Sequence, residues 1–376
     1  MSDYKLEGGY PESMRKSIRK VEKTRKKRIG NEPKGMTLKE RDEVLNLCHP
    51  DYAKGGKRKI VAGPNRGDIA PNEVVDLLEA HAAVDTSKID LKNVDYETDI
   101  LIIGGGLAGT AAALLANDHG VPADRILLVN KLRHGDSNSI MAQGGTQAAD
   151  GEDDSPPIHY LDALGGGHFT NKRDVLKALV EEAPLAIDWM VENGVLFDRE
   201  ADGDFVRLPG GGTARRRMHA CKDYTGMEEL RVIRDTFRNR QIPVLEFAPV
   251  VELLTDPKTG KVSGAVLWEM ETGDYRIVKS KATIMATGGF GRLHVRGFPT
   301  TNHYGATADG IVLAYRAGAK LLDTDTVQYH PTGAAYPQQI IGLLLTEKLR
   351  SMGAQPVNVD GELFVYPLEP RDVEAS

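Results

Sequence analysis

The sequence predicts an α/β fold that begins near residue 97, and three observations lead to this class. Residues 98–103 have the apolar pattern of a buried strand and run directly into a glycine turn. An alanine-rich helix follows to about Asp118, and residues 125–130 have the pattern of a second strand. Strand, glycine turn, helix and strand in this order are typical of the βαβ unit of a parallel sheet.

The glycine turn, Gly104 to Gly109, has the spacing G-x-G-x-x-G. In a βαβ unit, Gly104 permits the tight turn and Gly106 lets a pyrophosphate approach the backbone. Gly109 lets the helix and the strand pack closely. The backbone of Leu107 and Ala108, in the first turn of the helix, would face the phosphates. The pattern therefore indicates a Rossmann-like, dinucleotide-binding domain.

The end of the second strand leaves the identity of the dinucleotide open. At this position the fold usually offers a carboxylate to a ribose hydroxyl. The sequence instead has Asn130 followed by Lys131. An asparagine can still bond a hydroxyl, so both residues are cofactor-binding candidates, but they do not decide between nucleotides.

Composition limits the other classes of function. A chain of 376 residues is long enough for two or three domains, because single cores rarely exceed about 300 residues. The net charge of −6 does not favour a nucleic-acid partner. Cys48 and Cys221 are too few and too far apart for a disulfide framework or an iron–sulfur ligand set, and no metal site is expected. The apolar stretches are shorter than a membrane span, and the N-terminus has no apolar signal core. Both observations predict a cytoplasmic location.

Residues 1–95 differ from the rest and are interpreted as a basic N-terminal arm that docks on a partner. Nine Lys or Arg residues lie within residues 15–28, and apolar residues spaced by four and three share one side of the predicted helix. Glycine- and proline-rich segments with little core follow, and then a short helix at 72–83. Two other interpretations of the basic stretch stay open. The first is a solvated helix or arm without a partner. The second, which is the least favoured, is a surface that binds anionic lipid or nucleic acid.

Five further stretches, in this order, resemble motifs of the fumarate reductase and succinate dehydrogenase flavoprotein family, which also includes L-aspartate oxidase. The resemblance covers about residues 97–376, and the ordered set is far more specific than any one piece. The stretches are Ser137 to Gly145 (SNSIMAQGG), Ala286 to Arg292 (ATGGFGR), Thr300 to His303 (TTNH) with Ala308 to Gly310 (ADG), Gln328 to Gly333 (QYHPTG), and Thr346-Glu347 with Pro370 to Val373 (PRDV).

The resemblance implies a Rossmann-like FAD-binding domain over residues 96–327, followed by the start of an α+β capping domain over residues 328–376 that is incomplete. In the family, the first glycine loop, the AQGG segment and the ATGG segment wrap FAD. The glycine loop, Asn130 and Lys131 are already cofactor-binding candidates. The resemblance adds Ser137, Asn138, Ala142, Gln143, Gly144, Gly145, Ala286, Thr287, Gly288, Gly289 and Asp309.

Asn138 departs from the family pattern. In succinate dehydrogenases and many fumarate reductases, the matching position is a histidine that bonds covalently to the flavin. Asparagine has no nucleophilic ring nitrogen, so the resemblance implies FAD held without a covalent bond, as in aspartate oxidase. Loss of that bond is expected to lower the flavin potential, which favours reduction of an alkene over oxidation of succinate.

For catalysis, the resemblance implies hydride transfer between flavin N5 and a C4 dicarboxylate or a related unsaturated acid. His330 and Thr346 match positions that bind a substrate carboxylate. Glu347 matches a carboxylate that relays protons, and Arg371 matches the arginine that delivers the proton. Two departures put the substrate in doubt. The family's R-G-E-G-G run reads RSMGA from Arg350, and its G-E-R-F motif reads GELF.

Family members continue well beyond the R-D-V motif, which implies either a truncated chain or a partner polypeptide that supplies the C-terminal half. An iron–sulfur subunit is also expected, because this chain has no cysteine set for clusters. A quinone-linked membrane subunit would hold the protein on the inner membrane face. Two alternatives are kept. One is an L-aspartate oxidase-like amino-acid oxidase, which the basic arm disfavours, and the other is a non-catalytic FAD electron-transfer subunit.

Overall fold

The computed structural model describes residues 9–31, 33–49, 52–293, 300–326, 328–365 and 367. In these ranges the α-helices are α1 (Glu12–Arg28), α2 (Leu38–Cys48), α3 (Asn72–Glu79), α4 (Leu107–Asp118), α5 (Asn138–Met141), α6 (Pro156–Gly166), α7 (Arg173–Glu192), α8 (Thr225–Asn239), α9 (Asp309–Arg316) and α10 (Lys348–Ser351). The strands are β1 (Lys57–Lys59), β2 (Ile69–Pro71), β3 (Tyr96–Ile103), β4 (Ile126–Val129), β5 (Thr146–Gln147), β6 (Arg207–Pro209), β7 (Arg216–His219), β8 (Val244–Leu245), β9 (Val250–Thr255), β10 (Val262–Trp268) and β11 (Tyr275–Met285). None of the helices in the described ranges is long and apolar enough to span a bilayer.

A six-stranded sheet forms the centre of the structure, in the order β8-β4-β3-β11-β10-β9. Strands β8, β4, β3 and β11 are parallel, whereas β10 pairs antiparallel with both β11 and β9. The unit β3-α4-β4 is the βαβ unit that the sequence predicts. The predicted α/β class is confirmed.

Side chains of the central strands alternate between two cores on opposite faces of the sheet. Ile102 and Leu128 belong to a cluster that includes residues of α4, α7 and α8. Leu101 and Leu127 belong to a second cluster, with residues of β9, β10 and α9. Because both faces are covered, β3 and β4 read in the sequence as continuous apolar runs.

A second, three-stranded antiparallel sheet has the order β5-β7-β6. Its centre holds a buried ion pair, in which the Arg217 guanidinium donates to both carboxylate oxygens of Asp154 at 2.7 and 2.9 Å. Both side chains are fully buried, and Asp162 lies 2.9 Å from the remaining guanidinium nitrogen. These bonds compensate the desolvation of the guanidinium and join β7 to α6 and to the loop before it.

The segment 57–79 has a small core that sequence reasoning did not foresee. Ile60 and Val75 pack with Tyr315 of α9. The Tyr315 hydroxyl donates to the Ala62 carbonyl at 2.5 Å and accepts from the Asn65 N–H at 3.2 Å. The local sequence shows little apolar content because α9, far along the chain, supplies part of this core.

Helix α1 lies on the C-terminal segment. The ring of Tyr10 stacks on that of Tyr336, with centroids 5.9 Å apart, and Lys20 forms an ion pair with Asp360. Three residues of α1 lie within 4 Å of the point where a Cβ at Gly361 would stand. The predicted basic helix is present, and residues of one of its sides contact Asp360 and Gly361.

Candidate functional site

A cavity of about 280 Å³ lies where the carboxyl ends of β3, β4 and β11 meet. β3 leads into the glycine turn, β4 into Asn130–Lys131 and β11 into Ala286–Gly288, and all three segments line the cavity. Residues from 136–139, 248–250 and 303–313 line the remaining sides. In open parallel sheets, ligands bind outside the carboxyl ends of the strands.

Two glycines of the turn are required by packing. Gly104 has a φ of +110°, and a Cβ there would stand 2.4 Å from the carbonyl oxygen of Ala286. A Cβ at Gly109 would stand 1.9 Å from the carbonyl oxygen of Gly104. Helix α4 can therefore approach the end of β3 only because Gly109 has no side chain, and the chain after β11 can approach it only because Gly104 has none.

Gly106 is different, because a side chain there would meet side chains that line the cavity and not backbone. It is the N-cap of α4 with an ordinary φ of −78°, and the nearest atoms to a Cβ there would be side-chain atoms of Ser139 and Ser137, at 3.3 and 3.4 Å. The N–H groups that follow belong to the first turn, where a helix attracts anions. One of them, that of Leu107, donates to the Ser139 hydroxyl at 3.1 Å. The residues present thus fit a pyrophosphate.

The Asn130 side chain holds the loops around the cavity. Its Oδ1 accepts from the Gly105 N–H at 3.1 Å, and its Nδ2 donates to the carbonyls of Leu132 and Arg133 at 3.1 and 2.7 Å. From the sequence, this amide is able to bond a ribose hydroxyl, and its contact with the cofactor stays a prediction. In the structure, its oxygen and both amide protons bond the protein, so its observed role is to fix Gly105 at the strand end.

The Lys131 ammonium is paired within the protein. Its Nζ lies 2.6 Å from Asp309 Oδ2 and 2.6 Å from Thr307 Oγ1. The Thr307 hydroxyl also donates to the same carboxylate oxygen, at 2.7 Å. The trio joins the end of β4 to the start of α9, and the carboxylate offsets the charge of Lys131 beside the cavity.

Asn138 lies at the cavity beside His303. Its Oδ1 accepts from the His303 N–H at 2.7 Å, and its Nδ2 donates to Asn302 Oδ1 at 3.3 Å. His303 Nδ1 accepts from the Gly305 N–H at 3.1 Å, so the proton of the neutral ring is on Nε2. Burial lowers the pKa of His303, which keeps the ring neutral at neutral pH.

Two thirds of the cofactor-binding candidates from the sequence line this one cavity. They are Gly104, Gly106, Leu107, Ala108, Asn130, Lys131, Ser137, Asn138, Ala286, Thr287, Gly288 and Asp309. The candidates that do not line it are Gly109, Ala142, Gln143, Gly144, Gly145 and Gly289. Direct contact of each candidate with the cofactor stays a prediction.

The segment Ala142–Gly145 lies against α8 and β7. The carbonyl of Ala142 accepts from the Gly226 N–H at 2.8 Å. Gly145 has a φ of +144°, and a Cβ there would stand 2.5 Å from the His219 carbonyl oxygen. Packing alone therefore requires a glycine at position 145.

Sequence reasoning does not assign several residues that line the cavity. Ser139 and His303 both lie inside motifs that the sequence singles out. The hydroxyl of Ser139, in a motif assigned to the cofactor, was a signal that could have identified it as a cavity residue. Ala248 and Val250 reach the cavity because the chain after β8 stays paired with the end of β4, where the Ala248 N–H donates to the Asn130 carbonyl at 2.9 Å. Only the pairing of distant strands reveals that contact.

The substrate-side candidates lie in the segment after residue 328. An isolated antiparallel bridge joins Gly333 to Leu344. The chain just before Gly333 contains His330, and the chain just after Leu344 contains Thr346 and Glu347. The bridge therefore pairs the two short segments that contain these three candidates.

Glu347 joins this segment to the loop after β6, because its Oε1 accepts from the Gly211 N–H at 3.2 Å. The neighbouring Lys348 donates from Nζ to the Lys222 carbonyl at 3.0 Å. None of the described substrate-side candidates lines the cavity. Arg371 lies outside the described residues.

His330 is held as a neutral donor. Its Nδ1 accepts from the Thr332 N–H at 3.3 Å, so the ring proton is on Nε2. Burial, and then the nearby Arg350 guanidinium, lower the pKa of His330. The imidazole can therefore donate to a carboxylate at neutral pH without adding charge.

Comparisons with known proteins agree with this site. The chain matches the family described as FAD binding domain over residues 99–376. It is 35% identical over 276 residues to a fumarate reductase flavoprotein subunit of Mycobacterium tuberculosis, over 71% of this chain and 44% of that protein. It is 36% identical over 289 residues to L-aspartate oxidase of Streptomyces coelicolor, over 74% of this chain and 49% of that protein. A quinol fumarate reductase chain of E. coli superposes with a TM-score of 0.65 at 31% identity, over 71% of this chain and 44% of that chain.

The fold and the cavity, with these matches, define an FAD-binding flavoprotein. The chain belongs to the FAD-binding domain family that includes fumarate reductase flavoprotein subunits and L-aspartate oxidases, a family of FAD-dependent oxidoreductases. FAD, the cofactor predicted from the sequence, is confirmed. The chain spans about half the length of the curated relatives that it matches.

Gly106→Val is expected to lower the affinity for FAD by about tenfold or more, because the branched side chain would occupy the space of the pyrophosphate. Titration of the apoprotein with FAD, followed by flavin fluorescence, measures this. Gly165→Val is the matched control, since Gly165 is an exposed helical glycine with open space around it. Unchanged FAD affinity in a folded Gly106→Val protein would contradict the assignment of the turn.

FAD is expected to be released intact by acid, because the amide of Asn138 cannot form the covalent bond made by a histidine at the matching position. The mass of the denatured chain and the flavin content of the supernatant measure this. A chain heavier by one flavin would show the prediction to be wrong. His303→Gln would then test whether the neighbouring imidazole holds the flavin.

Proposed function

We propose that the protein is the FAD-carrying part of a fumarate reductase-like enzyme that acts on a C4 dicarboxylate or a related unsaturated acid. The bridge between Gly333 and Leu344 supports this proposal, because it pairs the short segment that contains His330 with the one that contains Thr346 and Glu347. An imidazole N–H and a hydroxyl on adjacent segments are suited to hold a carboxylate. FAD, when bound, supplies hydride chemistry at flavin N5.

In this proposal the donors of the cap segment bind one carboxylate of the substrate. His330 donates from Nε2, the ring nitrogen that carries its proton. The Thr346 hydroxyl oxygen accepts from the Lys348 N–H at 3.3 Å, which leaves its own proton to donate. Arg350 supplies positive charge nearby, and a neutral His330 avoids repulsion from it.

Proton delivery is proposed for Glu347 and Arg371. Glu347 is held by the Gly211 N–H, so its second carboxylate oxygen can exchange a proton with a neighbouring group. The role of Arg371 as proton donor rests on the resemblance of its R-D-V motif. Because a guanidinium is almost fully protonated at rest, it can act as an acid only if a carboxylate such as Glu347 promptly returns the proton.

An L-aspartate oxidase-like reaction is the second candidate. The identity to an aspartate oxidase, 36%, is as high as that to a fumarate reductase flavoprotein, 35%. The altered loop after Glu347 also leaves room for a third candidate, a non-catalytic FAD electron-transfer subunit. The basic helix α1 disfavours the oxidase, because an enzyme that passes its electrons to oxygen needs no docking surface for an electron-transfer partner.

We further propose that residues 96–327 form the FAD-binding domain, that residues 328–376 begin the capping domain, and that residues 1–95 dock on a partner. Lys16, Lys23 and Lys27 lie on one side of α1, exposed, and have no carboxylate partner among the described residues. The proposed partners are a polypeptide or segment that supplies the C-terminal half of the flavoprotein, a quinone-linked membrane subunit, and an iron–sulfur subunit. These partners would place the protein at the cytoplasmic face of a membrane.

The assembled protein is expected to oxidise a reduced viologen dye when fumarate or a related unsaturated acid is added. His330→Ala should raise KM for the acid about tenfold or more, the scale of a lost hydrogen bond to a charged group, while FAD content is unchanged. His81→Ala is the control, because His81 is exposed. Peroxide formation from aspartate without viologen oxidation would favour the oxidase, and neither activity would favour the electron-transfer subunit.

Replacing Lys16, Lys23 and Lys27 by Glu is expected to release the iron–sulfur subunit from the purified assembly, since like charges would then repel across the interface. Charge reversal is preferable to deletion of α1, because deletion also removes the contacts of α1 with Asp360 and Gly361. Non-haem iron per FAD measures the loss, and wild-type release should rise with salt. The same change at three exposed lysines elsewhere is the control, at Lys172, Lys258 and Lys261. Equal iron content in both variants would contradict the docking role.

A further inference from the structure

A buried hydrogen-bond chain leads from a histidine to the N-cap of α4. The Thr110 hydroxyl donates to the carbonyl of Gly106 at 2.9 Å and lies 3.0 Å from His134 Nε2. A hydroxyl has one proton, and here that proton goes to Gly106. His134 must therefore donate from Nε2 to the Thr110 oxygen, which identifies the neutral Nε2–H tautomer.

The surroundings of His134 favour the neutral ring. The side chain is 2% exposed and packs edge-on against Phe237, with ring centroids 4.7 Å apart. Its Nδ1 is buried and has no hydrogen-bond partner among the described residues. Burial, and then the guanidinium groups of Arg238 and Arg234, lower the pKa of His134 to about 4, against a smaller opposing effect of Glu246.

His134 also supports the glycine turn from below. The nearest atom to a Cβ at Gly105 would be Cδ2 of the His134 ring, at 3.1 Å. The next residue, Gly135, donates its N–H to the Gly105 carbonyl at 3.0 Å. The backbone N–H of His134 donates to Glu246 Oε1 at 2.8 Å, which anchors the loop to the chain after β8.

We propose that His134 is a positioning residue for FAD, which acts through Thr110 to fix the Gly106 carbonyl and with it the N–H groups that face the cofactor phosphates. The Gly106 carbonyl also accepts the Thr110 N–H at 3.0 Å, and a carbonyl that rotated toward the cavity would lose both bonds and repel a pyrophosphate. The imidazole contacts no part of the cavity itself, since it does not line it. This role concerns FAD binding alone and does not depend on which substrate the enzyme uses.

The test compares FAD affinities of purified variants at pH 7.5. His134→Leu fills similar volume but removes the donor, and it should weaken FAD binding about tenfold or more. His134→Gln places an amide donor near the position of Nε2 and should bind within about threefold of the wild type. Thr110→Val interrupts the chain with little change of shape and should match His134→Leu, whereas Thr110→Ser should restore affinity.

Two further readouts separate positioning from packing. Phe237→Leu loosens the same pocket without touching the hydrogen bonds, so it should lower the thermal midpoint and leave FAD affinity within about threefold. In the wild type, the thermal midpoint should fall relative to that of His134→Gln as the pH drops from about 6.5 toward 4, because the unfolded histidine then binds a proton that the folded one does not.

Wild-type FAD affinity in both His134→Leu and Thr110→Val would overturn the proposal. So would a His134→Gln protein that binds FAD as weakly as His134→Leu, because the shape of the ring, not its donor, would then be what matters. Equal losses in His134→Leu and Phe237→Leu would likewise reduce the histidine to a packing residue.

Discussion

The approach of helix α4 to the end of strand β3 is the contact on which the rest of the site depends. A Cβ at Gly109 would stand 1.9 Å from the Gly104 carbonyl oxygen, so the two backbones meet without room for a side chain. This contact sets the direction of the first-turn N–H groups of α4, and that direction decides where an anion binds. The loops after β4 and β11 then close around the same point, through Asn130 and Ala286.

A phosphate site made of backbone needs side chains that hold the backbone still. Asn130 bonds Gly105, Ser139 bonds the Leu107 N–H, and the buried His134 bonds Gly106 through its neighbour. Each of these side chains forms hydrogen bonds with the loop. Polar groups beside the cavity therefore have most of their hydrogen-bond partners within the protein. The charge of Lys131 is similarly offset by Asp309. The helix terminus is thus the main anion-attracting feature that the described cavity offers.

Much of this arrangement could be predicted from the sequence, because the βαβ unit and its glycine turn are encoded within one short stretch. The AQGG and ATGG segments could be assigned to the cofactor only through their resemblance to family motifs, and their contact with FAD stays a prediction. Contacts between distant segments could not be predicted. Tyr315 completes a core for residues 57–79, and the AQGG segment lies against α8. Neither local sequence indicates which distant segment it contacts. His134 reads as a polar loop residue, and only the fold shows that it is buried beneath Thr110.

The central claim is that the N-terminus of α4 holds the FAD pyrophosphate, and a structure of the FAD-loaded protein tests it most directly. The account predicts pyrophosphate oxygens within about 3 Å of the first-turn N–H groups of α4, with Gly106 against the phosphates and the Gly106 carbonyl still bonded to Thr110. A pyrophosphate bound away from α4, or a Gly106 carbonyl turned toward it, would contradict the account.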